Sequence, residues 1–143
     1  MPKRILCAVD GSKVAAKAAA VAVDLASSMG ANVTFLTINV VPSRVKQTVY
    51  WDATLTDAAE AQANRQLAAA AKVAKAAKFG AFTCATATGN DIAMAICAYA
   101  ERNKYDHIVV GTAIRNELQR LILGSVSSGV VAKAPCPVTV VHK

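Results

Sequence analysis

The sequence predicts an α/β domain in which a parallel five-stranded sheet is covered by helices on both faces. Three observations lead to this prediction. Short apolar runs rich in β-branched residues alternate with longer segments whose apolar residues recur every three or four positions. The alternation follows the order β-α-β-α-β-α-β-α-β along the chain. A chain of 143 residues, 55% of them hydrophobic, can bury one core, so we expect residues 1–143 to form one doubly wound domain.

The first strand and helix are predicted near the amino terminus. The apolar run Arg4–Val9 ends at Asp10-Gly11-Ser12, which is typical of a strand followed by a turn. Ser12 is a suitable cap for the helix that follows, and Gly30 is a suitable end for it. The expected inward face of this helix consists of Val14, Ala18, Val21, Leu25 and Met29.

The next predicted elements are a strand over Asn32–Asn39 and a long helix over Asp57–Phe79. The helix has an apolar stripe and carries lysines toward its carboxyl end, which favours a solvated outer face. The stripe consists of Ala59, Ala63, Leu67, Ala70, Ala74 and Ala77. The connection Val40–Thr56 has no clear period and contains Tyr50 and Trp51. It is either a surface loop whose aromatic pair packs against the rest of the domain or a lid over a ligand site.

The second half of the chain continues the alternation. Strands are predicted over Phe82–Thr86, Asp106–Val110 and Val138–His142. A helix capped by Asn90 is expected to run to about Asn103, and a further helical pattern lies in Leu121–Ala134 before Pro135. The inward face of the Asn90 helix should comprise Ile92, Ile96, Cys97 and Ala100.

Composition and charge argue against several classes of protein. The formal net charge of +7 comes from basic residues spread along the helices without interleaved aromatics, which favours a solvated face over nucleic-acid binding. No apolar run approaches the length of a membrane span, and the one after Arg4 is too short for a signal peptide. We therefore expect a cytosolic protein without membrane insertion.

The residue types that carry catalysis or bind metals are sparse. The four cysteines form no CxxC pair, so the common zinc spacings are absent and reduced thiols in the core are expected. His107 and His142 fall within predicted strands. We predict no catalytic residue and no metal site, and we do not expect an enzyme.

The residues that follow the strands are the candidates for ligand binding, because ligands of open parallel sheets bind at the carboxyl ends of strands. Asp10-Gly11-Ser12 and Gly111-Thr112 follow two strands, and Gly124-Ser125 opens a helix whose free amides suit an anion. Plain capping by the serines explains the last feature equally well. The dinucleotide fingerprint is absent, and Val130-Val131 follow Gly129 where a phosphate-binding loop needs Lys and Ser or Thr.

Four segments together resemble the universal stress protein family: Ile5–Ser12, Asp106–Thr112, Leu121–Ser127 and Ala134–Val138. The resemblance covers the whole chain in order and spacing. It implies strand order 3-2-1-4-5, a dimer, and ATP binding between the first and fourth strands through a glycine motif. The motif is Gly, two residues, Gly, nine residues, then Gly and Ser or Thr.

Gly111 matches the first glycine of that motif, and Gly124-Ser125 match its last pair, but Ile114 stands at the middle glycine. The ligand contacts that the resemblance implies come from Asp10, Ile38, Asn39, Val110, Gly111, Ala113, Gly124, Ser125, Val126 and Ser127. Asp10 would accept from ribose or adenine, Ile38 and Asn39 would border adenine, and Gly111 would let the backbone approach the phosphates. Gly124, Ser125 and Ser127 would donate hydrogen bonds to the phosphates. Ile114 at the position of the middle glycine should weaken these phosphate contacts.

Two functions follow as expectations, and slow ATP hydrolysis by an enzyme is the least expected third, since no base or metal-binding acid beyond Asp10 is apparent. The first is a cytosolic stress-response or regulatory protein that binds ATP or AMP with weakened phosphate contacts. The alternative is a nucleotide-independent dimeric interaction protein that regulates a partner such as a transporter or an enzyme. In both, two copies should pair through the exposed apolar edge Val138–His142.

Overall fold

The order of the strands places the amino-terminal strand in the middle of the sheet. A computed structural model of the chain describes residues 3–41, 53–112 and 124–142. In these residues five parallel strands lie in the order β3-β2-β1-β4-β5, with a helix between each pair that is consecutive along the chain. The predicted fold class and the strand order implied by the family resemblance are thus confirmed.

The strands agree with the predicted ones apart from their ends. Their bounds are β1 Arg4–Ala8, β2 Asn32–Val40, β3 Phe82–Gly89, β4 His107–Thr112 and β5 Val138–His142. The sequence pattern ended the third strand at Thr86, but its ladder with β2 continues until Val40 pairs with Gly89. Ala87 and Gly89 near the end of β3 are residue types depleted in strands, so pairing with β2 and not local propensity extends the strand.

The helices are α1 Lys13–Met29, α2 Ala53–Ala76, α3 Ile92–Arg102 and α4 Ser125–Lys133. As predicted, the Ser12 hydroxyl accepts from the Ala15 amide at 3.1 Å, and Gly30 ends α1 with φ +67°. The predicted start of α2 at Asp57 is wrong, because the helix already begins at Ala53. The predicted Asn90 cap is also wrong, since the Asp91 carboxylate accepts from the Met94 amide at 3.0 Å.

Two predicted features lie outside the described residues. The connection after β2, with the aromatic pair Tyr50-Trp51, falls within residues 42–52. Ile114 falls within residues 113–123, and so do Leu121–Leu123, which precede Gly124-Ser125 in the segment that holds the last helical pattern. The choice between a surface loop and a lid therefore stays a prediction.

Helices α1 and α2 cover one face of the sheet, and α3 and α4 cover the other. The predicted inward face of α1 is partly wrong, because Val21, Leu25 and Met29 are only partly buried. The buried face is formed mainly by small side chains, namely Val14, Ala15, Ala18, Ala19, Ala22, Val23 and Ala26. Alanines on that face allow α1 to lie close to the sheet and to α2 simultaneously, at the packing density of a protein interior.

Helices α3 and α4 also approach each other closely. A Cβ atom built on Gly129 would lie 2.7 Å from the Cβ atom of Ala93. Gly129, whose spacing from Gly124 is that of a phosphate-binding loop, therefore has a packing role between two helices.

The cysteines are only partly in the core, in contrast to the expectation that all four are buried. Cys7 and Cys97 are buried, Cys136 is partly buried, and Cys84 on β3 is exposed. Complete burial raises the pKa of the Cys7 thiol to about 12, so this thiol stays protonated at neutral pH.

His107 joins β4 to β5 through its side chain. Its Nε2 atom lies 2.7 Å from the Thr139 hydroxyl, and partial burial lowers the pKa of the imidazole below 6.5, its ordinary value. The folded protein therefore favours the neutral ring, whereas the unfolded chain takes up a proton more readily.

We expect the free energy of unfolding to fall as the pH is lowered through 6.5, because the unfolded state then binds more protons at His107 than the folded state does. His107→Gln should show a smaller fall between pH 7.5 and 5.5. Urea denaturation at several pH values measures both, with His142→Gln as the control. Equal pH dependence of the wild type and His107→Gln would contradict the assignment.

Candidate functional site

A cleft of about 270 Å³ opens at the carboxyl ends of β1 and β4. These two strands lie side by side at the centre of the sheet, and their connections lead to opposite edges. This is the switch point at which open parallel sheets bind ligands. The described lining residues are Ala8, Val9, Asp10, Ser12, Val14, Ala15, Leu36, Ile38, Gln66, Ile92, Ile96, Val110, Gly111 and Val126.

Asp10 supplies the only carboxylate among those lining residues. One of its oxygens accepts from the Ser12 amide at 2.9 Å, which orients the carboxylate at the mouth of the cleft. The turn requires Gly11, whose φ of +82° is unfavourable for other residues. Because a carboxylate has two acceptor oxygens, the other oxygen of Asp10 is available to a hydroxyl or amine of a ligand.

The rest of the cleft is mainly apolar. Ile38 and Val110, both expected from the sequence, line it at the ends of β2 and β4. Gln66 on α2 and the isoleucines Ile92 and Ile96 on α3 also line it. These three were not predicted as ligand contacts, since the pattern showed Ile92 and Ile96 only as inward residues of a helix. Asn39 is partly buried and is absent from the described lining, and Ala113 lies outside the described residues.

The start of α4 is positioned by hydrogen bonds within the protein. The Gly124 amide donates to the Thr112 hydroxyl at 3.0 Å, and the Ser127 hydroxyl donates to the Gly124 carbonyl at 3.1 Å. Ser127 is 1% exposed. The expectation that the Gly124 amide and the Ser127 hydroxyl face a phosphate is therefore corrected, because in this structure both donors are engaged internally.

Other donors at this helix start remain available to a ligand. The Ser128 amide donates to the Gly124 carbonyl at 2.9 Å, and this is the first hydrogen bond of α4 to a carbonyl four residues earlier. The amides of the first turn before it, beginning with Ser125, have no such intrahelical acceptor. Val126 lines the cleft, and the exposed Ser125 lines a second groove of about 350 Å³ whose lining also includes Lys133.

Gly111 has a packing role in addition to the phosphate approach that the family resemblance implies, which stays a prediction. A Cβ atom on Gly111 would lie 2.4 Å from Val14 Cγ1 and 3.1 Å from the Val14 carbonyl oxygen. The absent side chain therefore makes room for the first turn of α1 against β4. Gly111 still lines the cleft, so this packing sets the distance between the cleft wall and α1.

Neither a metal site nor a membrane span is found in the described part of the chain. Within residues 3–41, 53–112 and 124–142, no three His, Cys, Asp or Glu side chains come together as a metal ion would require. No helix in these ranges is both long and apolar enough to cross a bilayer.

Comparisons with known proteins agree with this fold. The model of the universal stress protein family matches residues 1–142. A Staphylococcus haemolyticus protein whose name assigns it to the universal stress proteins is 34% identical over 141 residues, which cover 98% of this chain and 84% of the relative.

Solved structures agree in fold at lower sequence identity. A universal stress protein in complex with cAMP has a TM-score of 0.77 and 23% identity, over 99% of this chain and 97% of that one. A universal stress protein from Archaeoglobus fulgidus in complex with dAMP has a TM-score of 0.71 and 20% identity, over 97% of both chains. At these identities the two structures support the fold alone.

Proposed function

Because the chain belongs to the universal stress protein family, we propose that its cleft binds an adenine nucleotide and that the protein acts in a stress response or in regulation. The observation that carries the proposal is the cleft at the switch point, with apolar walls and a single oriented carboxylate at Asp10. Apolar walls suit the faces of a purine ring, and one well-placed acceptor suits a ribose hydroxyl or the adenine amine. Two structural neighbours contain adenine nucleotides, namely cAMP and dAMP.

The phosphate contacts are expected to be weak. The Gly124 amide and the Ser127 hydroxyl already have partners within the protein, and Ile114 replaces the middle glycine of the family motif. A longer phosphate chain then gains the first-turn amides of α4 and few other donors. We therefore propose that the base and the ribose supply most of the affinity and that ATP and AMP bind with similar affinities.

Binding of AMP at about 100 times its Kd should raise the free energy of unfolding by about 2.7 kcal/mol. Asp10→Ala should reduce that gain strongly because the oriented acceptor is lost. Val126→Trp should reduce it by filling the cleft. Thermal unfolding and calorimetric titration with AMP, ATP and GMP measure these effects.

The control is Asp24→Ala, which removes an exposed carboxylate from α1 at a site that does not line the cleft. Gly124→Val is less informative, because its side chain would disturb the Thr112 contact that positions α4. If AMP and ATP leave the unfolding of the wild type unchanged and no nucleotide copurifies, the nucleotide-independent interaction protein becomes the better description.

We further propose that the nucleotide is bound without being hydrolysed. Asp10 is the one carboxylate in the described lining, and its hydrogen bond to the Ser12 amide directs one oxygen away from a ligand. A regulated partner such as a transporter or an enzyme stays a prediction, as do the cytosolic location and the absence of nucleic-acid binding.

The functional unit is proposed to be a homodimer paired through β5. This strand forms an edge of the sheet. The Ile108 amide donates to the Pro137 carbonyl, so the backbone groups of Pro137, Thr139 and Val141 face β4. Those of Val138, Val140 and His142 therefore point to the open side, where a second copy can pair antiparallel.

A further inference from the structure

The opposite edge of the sheet is formed by β3, which is longer than β5, and within residues 3–41, 53–112 and 124–142 it has none of the features that usually protect an edge strand. Its eight residues, Phe82–Gly89, contain neither a charged residue nor proline. Its register with β2 runs without interruption from Phe82 to Gly89, so no bulge turns it away. Natural edge strands are usually shortened, charged, bulged or covered.

The hydrogen bonds to β2 show which backbone groups of β3 are available. The Val33 amide donates to the Ala81 carbonyl, and the Val41 amide donates to the Gly89 carbonyl. In a parallel ladder the odd-numbered residues of β3 then bond to β2, and the even-numbered ones point outward. Among these outward residues Cys84, Thr86 and Thr88 are exposed.

The two sides of this edge differ in chemistry. On the α2 side, Lys72, Lys75 and Lys78 are exposed, and no carboxylate occurs anywhere between residues 61 and 89. Partial burial raises the pKa of the Cys84 thiol, and the charge of Lys75 opposes that rise, which places this lysine near the strand. On the α3 side, the partly buried Ala85 and Ala87 continue the apolar core.

We propose that the open edge of β3 binds an extended segment of a partner protein by strand addition, and that this segment alternates acidic with apolar side chains. Main-chain hydrogen bonds to Cys84, Thr86 and Thr88 hold the segment. Because side chains alternate between the faces of a strand, its acidic ones lie toward the lysines of α2 and its apolar ones toward Ala85 and Ala87. A second copy of this chain is a poor occupant, since self-pairing would bring the lysines of two α2 helices together.

The test uses a capped nine-residue peptide that alternates glutamate and valine. Binding should slow hydrogen exchange at the amides of Cys84, Thr86 and Thr88, while the odd-numbered amides of β3, already bonded to β2, change little. A lysine-valine peptide should bind at least about tenfold more weakly. N-methylation of every second amide of the glutamate-valine peptide, on the edge that faces β3, should abolish binding because it removes the donors to β3.

Two variants locate the interaction. Thr86→Pro removes an outward amide and leaves the bonds to β2 in place, so peptide affinity should fall more than about tenfold. Lys75→Glu should weaken binding about three- to tenfold at low salt, whereas Lys17→Glu on α1, an exposed lysine on another helix, should not. AMP binding should be unchanged in the two variants and in the Lys17→Glu control, which separates this edge from the cleft.

Several results would overturn the proposal. The glutamate-valine peptide could fail to bind, or the lysine-valine or N-methylated peptide could bind as tightly as it does. The glutamate-valine peptide could also bind without slowing hydrogen exchange at the outward amides of β3. Concentration-dependent protection of these amides in the absence of peptide would also overturn it, by identifying a second copy as the occupant. If Thr86→Pro does not fold, the N-methylated peptide and Lys75→Glu still decide the question.

Discussion

Replacing Gly111 by alanine should lower the free energy of unfolding by about 2 kcal/mol. The added Cβ atom would lie 2.4 Å from Val14 Cγ1 and 3.1 Å from the Val14 carbonyl oxygen. Rotation of the Val14 side chain can relieve the first contact, but the second involves backbone and requires α1 to move away from β4. The melting temperature should fall by roughly 6–8 °C. Urea and thermal denaturation measure the change, and AMP titration shows whether the displaced helix also disturbs the cleft.

Gly80→Ala is the matched control for this substitution. A Cβ atom there meets no heavy atom within 4 Å, so stability should stay the same or rise by about 0.5 kcal/mol. Adding Val14→Ala to Gly111→Ala should recover part of the loss, because it removes the closer of the two contacts. A Gly111→Ala protein as stable as the wild type but unable to bind AMP would instead support the role in phosphate approach that the family resemblance implies.

Val140→Pro should convert a dimer into a monomer. The Val140 amide points to the open side of β5, so proline removes a donor for the second copy without removing a bond to β4. Its ring also blocks the close approach of another strand. Size-exclusion chromatography with light scattering measures the mass, and we expect the dimer Kd to rise at least about tenfold.

Val140→Ala is the control, because it shortens the partly buried side chain and keeps the amide. It should remain dimeric, although with a lower melting temperature. A monomeric wild type, or a Val140→Pro protein with the mass of the wild-type dimer, would show that β5 does not form the interface.

Much of the fold could be predicted from short-range patterns. Alternating periods of two and 3.6 residues located the five strands and four helices of the described residues, because burial of one face imposes that spacing locally. Caps with a local mechanism were also recognised, such as Ser12 and Gly30 at the two ends of α1. Errors occurred where neighbours decided the outcome: β3 runs to Gly89 because β2 pairs with it, and Asp91 caps α3 although Asn90 is an equally suitable residue type.

For the candidate site, the sequence by itself determined the fold class, the family through its motifs, and the position of Asp10 at the end of the central strand. Only the tertiary structure decided which elements meet there. Gln66 and Ile92 line the cleft from α2 and α3, and no local sequence pattern predicts that these two residues lie there. Likewise, the close approach of Val14 leaves no room for a side chain at position 111, and the Ser127 hydroxyl is buried against the Gly124 carbonyl. These contacts form only after the helices pack on the sheet. Periodicity and capping depend on neighbours along the chain, whereas the cleft depends on distances between elements that are far apart in the chain.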